Sequence, residues 1–245
     1  MTNRLTAFHI KLIAIITMLL DHMQVVFPDV LSPWLRVAGR LAFPLFVFLL
    51  AEGFRHTRSR GKFLLRLAIF ALVSEPFFDM AFHDAANLLG ADFLNNTNVF
   101  YTLFLGGAAI TAYDYIKERW HSTVSAAFAV ALCCVMAAFL GSDFGEIGVA
   151  FIFVLYKVRE ERRLKAMFIC CLLLWLPLFM YTLRGYTLPY PFMNMAMVVA
   201  TCLSVPLAMM HNKKRGPNGP RLKWMFYAFY PAHLAVLVGL AGLAG

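Results

Sequence analysis

An all-α, polytopic membrane protein is the fold class this sequence predicts, and three observations predict it. Of 245 residues, 61% are hydrophobic and only 14% are charged, against about 25% charged in a soluble domain. Mean hydropathy is +0.71. The apolar residues also fall in runs long enough to cross a bilayer as helices, which takes about 20 residues each. Nine runs read as spans: 8–27, 34–55, 63–83, 97–116, 122–140, 145–158, 164–183, 191–211 and 225–243. The sixth is short, and reads as tilted or incomplete. With no long polar segment, low-complexity tract or internal repeat, the simplest architecture is one helical bundle, a single domain over 1–245.

Loop charge sets the expected direction of each span. Arg55, Arg58, Arg60 and Lys62 follow the second span, and Lys117 and Arg119 the fourth. Lys157, Arg159, Arg162, Arg163 and Lys165 follow the sixth; Lys213, Lys214, Arg215, Arg221 and Lys223 follow the eighth. The alternate loops carry Asp29, then Asp84 and Asp92, then Asp143 and Glu146, with Arg184 the one clear exception. Lys and Arg collect on the cytoplasmic side, so the N-terminus is expected inside and the C-terminus in the periplasm. Strict alternation favours the count, since one missed helix would invert every later loop. Pro44, Pro76, Pro177, Pro206 and Pro231 lie within spans. Such prolines are tolerated where neighbours satisfy the freed carbonyls, and kinks at Pro44, Pro76 and Pro231 would open space beside polar residues.

The net charge of +9 does not point to nucleic acid, because the basic residues sit in short topogenic loops. The five cysteines all fall inside apolar runs without metal-ligand spacing, so they read as small packing residues, and no metal is expected. The first run is expected to be retained. It is too long for the apolar region of a signal peptide, and no small-residue cleavage site follows it.

That first run, FHIKLIAIITMLLDHMQVVF (Phe8–Phe27), holds three ionisable side chains: Lys11, Asp21 and His22. Lys11 and His22 stand roughly 16 Å apart along a helix axis. Charged side chains are costly in hydrocarbon and usually face a bundle interior or a watery cavity. The expected directions put Asp21, His22, Arg40, Glu75 and His233 at overlapping depths, from four helices distant in sequence. Two readings stand for Arg40 and Glu75: a structural salt-bridge network, or an active site. His22 fits the second better, since imidazole titrates near neutrality and serves as a general base. Asp21 and His22 project about 100° apart on a helix. Asp21 is therefore expected to hold Arg40 or backbone, leaving Glu75 or His233 to orient His22. At the other surface, Arg55, Arg58, Arg60 and Lys62 read either as topology signals or as a phosphate clamp, a task for which arginine forks are suited. Gly61 would let backbone approach closely.

The blocks IKLIAIITMLLDH (Ile10–His22), AGRLAFPLF (Ala38–Phe46) with EGFRHTR (Glu52–Arg58), NVFYTLFLG (Asn98–Gly106) and FYPAHLAVL (Phe229–Leu237) resemble the TraX family of F-type pilin N-acetyltransferases. The resemblance implies acetyl transfer from acetyl-CoA to the N-terminal amine of a pilin subunit in the bacterial inner membrane. Lys11-x10-His22 and Arg55-x-x-Arg58 also look like the Arg/Lys-x10-His and Arg-x-x-Arg patterns of integral-membrane acyltransferase-3 proteins. There the His is the base and cytosolic acyl-CoA the donor.

The expected catalytic set is His22, Arg40, Glu75, His233 and Asp21, and the expected donor-binding set is Lys11, Arg55, Arg58 and Arg60. The expected partners are a pilin or other cell-surface acceptor and membrane lipid. An O-acyltransferase acting on a saccharide is the first alternative. A non-enzymatic pilus-assembly factor or small transporter is the second.

Overall fold

The computed structural model describes residues 4–82, 96–184, 186 and 190–244. Asp84 and Asp92, used above for loop charge, lie outside them. Among the described residues all regular structure is helical: α1 (Ala7–Val26), α2 (Trp34–Gly39), α3 (Ala42–His56), α4 (Arg60–Phe82), α5 (Val99–Trp120), α6 (Thr123–Phe139), α7 (Gly145–Lys157), α8 (Glu160–Leu173), α9 (Leu176–Leu183), α10 (Pro191–Met209) and α11 (Pro220–Ala244).

Each expected span coincides with one of these helices or a pair of them. Five stretches are long and apolar enough to cross a membrane: α1, α2 with α3, α5, α10 and α11. A sixth is added if α8 and α9, bent by 43°, form one span. α4 has 23 residues but carries Arg66, Glu75 and Asp79 in its body. α6 is apolar but short, and α7 has 13 residues, about 20 Å of helix against about 30 Å of hydrocarbon. Helix length and composition thus support five or six spans. The count of nine and the direction of the termini rest on loop charge.

The prolines explain where helices break. Pro44 is the third residue of α3, where a missing N–H forfeits no helical bond, so the 34–56 stretch breaks at Arg40 and Leu41. Pro177 likewise opens α9. Pro76, Pro206 and Pro231 lie inside α4, α10 and α11.

The chain forms two compact units, Met1–Leu49 with Val158–Lys223, and Leu50–Lys157 with Trp224–Gly245. In the first unit α1 and α10 both pack on α2, and α8 packs on α10. The residues before α1 pair with those after α10: Leu5 N–H donates to Met210 O (3.0 Å) and Asn212 N–H to Leu5 O (2.8 Å). Thr6 caps α1 in a capping box with His9.

In the second unit α5 is central, packed by α4, α6 and α7. Close approach is made possible by glycine. A Cβ on Gly106 would lie 2.5 Å from Ile152 Cδ1, and one on Gly107 2.6 Å from Phe54 Cζ. Aromatic rings join α4, α5 and α11: Phe70 stacks on Tyr227 at 5.3 Å and Phe100 meets Tyr230 edge-on at 5.2 Å. Val124, Phe128, Leu132, Val135 and Phe139 of α6 are all exposed. Their spacing puts them on one helix face, as expected of a surface that meets lipid.

Candidate functional site

In the first unit, Asp21 and Arg40 come together because α1 lies on α2 and α2 ends at Arg40. Arg40 Nη2 donates to Asp21 Oδ2 at 2.5 Å, and Arg40 Nε donates to Arg36 O at 3.3 Å. Arg36 Nε stands 3.7 Å from Asp21 Oδ1. Gly39 lets the helices close on this pair, since a Cβ there would collide with Asp21 Cβ. Asp21 is thus committed to guanidinium. His22 points elsewhere and is buried. It continues the α1 face of Ile10, Ala14 and Met18, which is also buried. Lys11 precedes it by eleven residues, three helical turns plus about 20°, so the two share that side of α1. Lys11 is half-buried.

In the second unit, Glu75 is fully buried on α4, one residue before Pro76. Asn98 binds it and also starts α5. The Asn98 backbone N–H donates to Glu75 Oε2 (3.2 Å), and Asn98 Nδ2 donates to Glu75 Oε2 and to Ala71 O (2.9 Å). Asn98 Oδ1 accepts from Phe100 N–H (2.9 Å), capping the helix. The Glu75 carboxylate therefore sits at the positive end of α5. Among the described residues, Glu75 Oε1, Ser74 Oγ and Tyr101 Oη are buried without a hydrogen-bond partner. Asp79, one turn along α4, is also buried. Tyr101 lies within electrostatic reach of both carboxylates, and Tyr230 within reach of Glu75 and Asp143.

His233 lies one turn from Tyr230 on α11, with its ring stacked on Phe229 at 4.9 Å and edge-on to Tyr230 at 5.4 Å. Its Nδ1 is 2.8 Å from Phe229 O. A carbonyl only accepts, so Nδ1 carries the proton and a neutral ring keeps its lone pair on Nε2.

Arg55, Arg58 and Arg60 close α3 and open α4. Arg55 Nη2 donates to Leu155 O (3.0 Å) and to Tyr156 O at the end of α7. Arg60 Nη1 is 2.9 Å from Asp114 Oδ2, and Arg60 Nη2 donates to Tyr156 Oη at 2.6 Å. Arg58 is exposed in the turn. Two of the three expected phosphate ligands are thus held by the protein's own acceptors. Sequence reasoning passed over Asp79, Tyr101, Asp114 and Tyr156, and took Lys157 for a topology signal only. The spacing of Glu75 and Asp79, one helical turn, was the available sign for the first of these. Among the described residues, no group of three or more His, Cys, Asp or Glu is placed to hold a metal ion.

The family model described as TraX protein matches residues 7–241. The chain belongs to the TraX family. The four sequence blocks that carry the likeness map onto the sites just described: the body of α1, the α2–α3 break at Arg40, the Asn98 start of α5, and the α11 turn with Tyr230 and His233. A protein named probable fimbrial assembly protein FimC, serogroup H1, from Dichelobacter nodosus is 35% identical over 234 residues, 91% of each chain. Protein TraX of Escherichia coli is 26% identical over 171 residues, 69% of this chain and 63% of that one. No solved structure matches the chain.

Proposed function

We propose that this TraX-family chain is a multi-pass acetyltransferase of the bacterial inner membrane, moving an acetyl group from cytosolic acetyl-CoA to the N-terminal amine of a pilin subunit. The observation that carries this reading is the buried His22 aligned with Lys11 on one side of an apolar helix, inside a TraX match over residues 7–241. The fimbrial name of the 35% identical relative supports a pilin-related partner.

His22 acts as general base. It takes a proton from the amine as the nitrogen lone pair attacks the thioester carbonyl. The tetrahedral centre then collapses, the C–S bond breaks, and the leaving thiolate takes up a proton. Oxyanion stabilisation contributes several kcal/mol in a dry site, and Arg40 is the candidate for it. Arg40 has Nη1 left uncommitted among the described residues. Lys11 holds the pantetheine arm or a phosphate, and Arg55, Arg58 and Arg60 favour the donor's phosphates. A general base supplies about 10²- to 10⁴-fold in rate. A His22→Ala variant present in the membrane at the normal level is therefore expected to leave pilin unacetylated by intact-mass analysis. Full acetylation would remove the base role.

The word assembly in the relative's name favours a second reading, a non-enzymatic pilus-assembly factor. Labelled acetyl-CoA separates the two: transfer of label to purified pilin supports the enzyme, and pilus loss without any transfer supports the assembly factor.

A further inference from the structure

Three basic connections of the second unit meet around one carboxylate. Asp114 of α5 receives Arg60 Nη1 (2.9 Å), Lys157 Nζ (2.9 Å) and the Tyr156 hydroxyl (2.9 Å). The Tyr156 ring has Arg55 at 5.6 Å, Arg60 at 5.7 Å and Lys157 at 5.8 Å from its centroid. Tyr113 adds a second ring, with Lys157 at 4.4 Å and Lys117 at 5.7 Å. Four cations therefore crowd on two tyrosines and one aspartate. Arg55 is partly offset by the Leu155 and Tyr156 carbonyls. Glu52 is taken by His56 (2.9 Å). The carboxylate lies deeper than its partners: the Asp114 side chain is 16% exposed, Arg60 32% and Lys157 35%. Four cations thus stand around the one Asp114 carboxylate, with exposed Glu118 one turn further along α5.

A clasp that only tied α4, α5 and α7 together needs one cation for one carboxylate. Extra cations held close by rings and partly exposed suit an anion arriving from outside. We propose that this cluster is a phosphate-binding site, in which Asp114 holds Arg60 and Lys157 in place and yields them to a phosphate group. The proposal rests on the acetyltransferase reading only for the source of that phosphate, the nucleotide end of the donor. The same chemistry would also take an anionic lipid headgroup.

The test uses the full chain in nanodiscs of phosphatidylcholine, with adenosine 3′,5′-bisphosphate as the probe and thermal unfolding recorded for every variant. Lys157→Gln and Arg60→Gln are each expected to weaken binding about tenfold, and Asp114→Asn to tighten it by a similar factor, because a like charge beside the phosphate is removed. Loss of both stability and affinity in Asp114→Asn would make the cluster a structural clasp and overturn the proposal. So would unchanged affinity in Lys157→Gln, an exposed position that folding tolerates. If the nucleotide does not bind but phosphatidylglycerol is retained by the wild type and lost from Lys157→Gln, the phosphate site stands with lipid as its source. Transfer assays separate the two readings. If His22→Ala abolishes transfer while Lys157→Gln leaves both the KM for the donor and the retention of phosphatidylglycerol unchanged, only this site falls. If wild-type protein binds the nucleotide as expected and transfers nothing, only the enzyme reading falls.

Discussion

Asp21 and Glu75 are both carboxylates set in apolar helices, and the chain surrounds them in opposite ways. Asp21 has guanidinium beside both oxygens: Arg40 bonds Oδ2 at 2.5 Å, and Arg36 stands 3.7 Å from Oδ1, which like Glu75 Oε1 has no hydrogen bond among the described residues. Its side chain keeps 15% of its surface exposed. Glu75 is 0% exposed, and its hydrogen-bonding partners are an amide and a backbone N–H, all on Oε2. Its other oxygen has no hydrogen bond among the described residues. A permanent cation neutralises the first carboxylate. The second is held by dipoles alone, which orient it without cancelling its charge. A carboxylate left in that condition is suited to taking up a proton or a visiting ammonium. Asp21 is suited to holding α1 against α2.

The comparison is tested hardest by Arg40→Ala. It strands Asp21 beside the more exposed and more distant Arg36, and because the pair is part-buried the expected loss is about 3 kcal/mol, the low end for breaking a buried pair from one side. Thermal unfolding in detergent is expected to show the largest loss of any variant named here. Retention of wild-type stability would mean that Arg36 suffices and that the pair is no clasp. Next comes Asn98→Ala. It removes a helix cap, about 1 kcal/mol, and strips Glu75 of a side-chain donor, about 1–3 kcal/mol more. A loss confined to the cap value would show that Glu75 does not depend on Asn98. Gly39→Ala is expected to cost about 1–3 kcal/mol by overpacking against Asp21. Gly61→Ala, with nothing within 4 Å of the added atom, is the matched control and is expected to be neutral.

Much of this contrast was legible in the residues. Asp21 and Arg40 stood out because charge is rare in apolar runs, and the 100° step between adjacent helical residues already separated Asp21 from His22. Loop charge grouped the ends of α3, α5 and α7, and residues at these ends meet at Asp114. Helix length was less legible. Apolar runs read α4 and the short α7 as spans, whereas α4 carries Arg66, Glu75 and Asp79 in its body and α7 stops at 13 residues. The Asp114 cluster escaped because its hydrogen bonds join segments 42 to 101 residues apart in sequence and its basic residues each look topogenic alone. The bond from Asn98 to Glu75 was hidden for a similar reason: a helix cap is a local feature, and nothing local says that its spare amide reaches a carboxylate on α4.

Among the changes to charged groups, the smallest effect on stability is expected from the one that looks most drastic, Glu75→Gln. Glutamine keeps an oxygen for the two Asn98 donors, and its amide group replaces an oxygen that accepts nothing. The charge disappears from a fully buried position, a change that favours folding, while the new N–H groups need an acceptor, which opposes it. The two terms are of similar size, so the net is expected to stay within about 1 kcal/mol of wild type. Asp21→Asn has no such offset, because it removes the anion from a standing ion pair and leaves Arg40 and Arg36 to repel each other. It is expected to lose about 2 kcal/mol. Unfolding curves of the two variants measured side by side decide the matter. If Glu75→Gln falls as far as Asp21→Asn, then Glu75 too is held by a fixed cation. If it holds its stability while acetyl transfer drops, the carboxylate at the head of α5 is kept charged or protonated for chemistry, at no benefit to the fold.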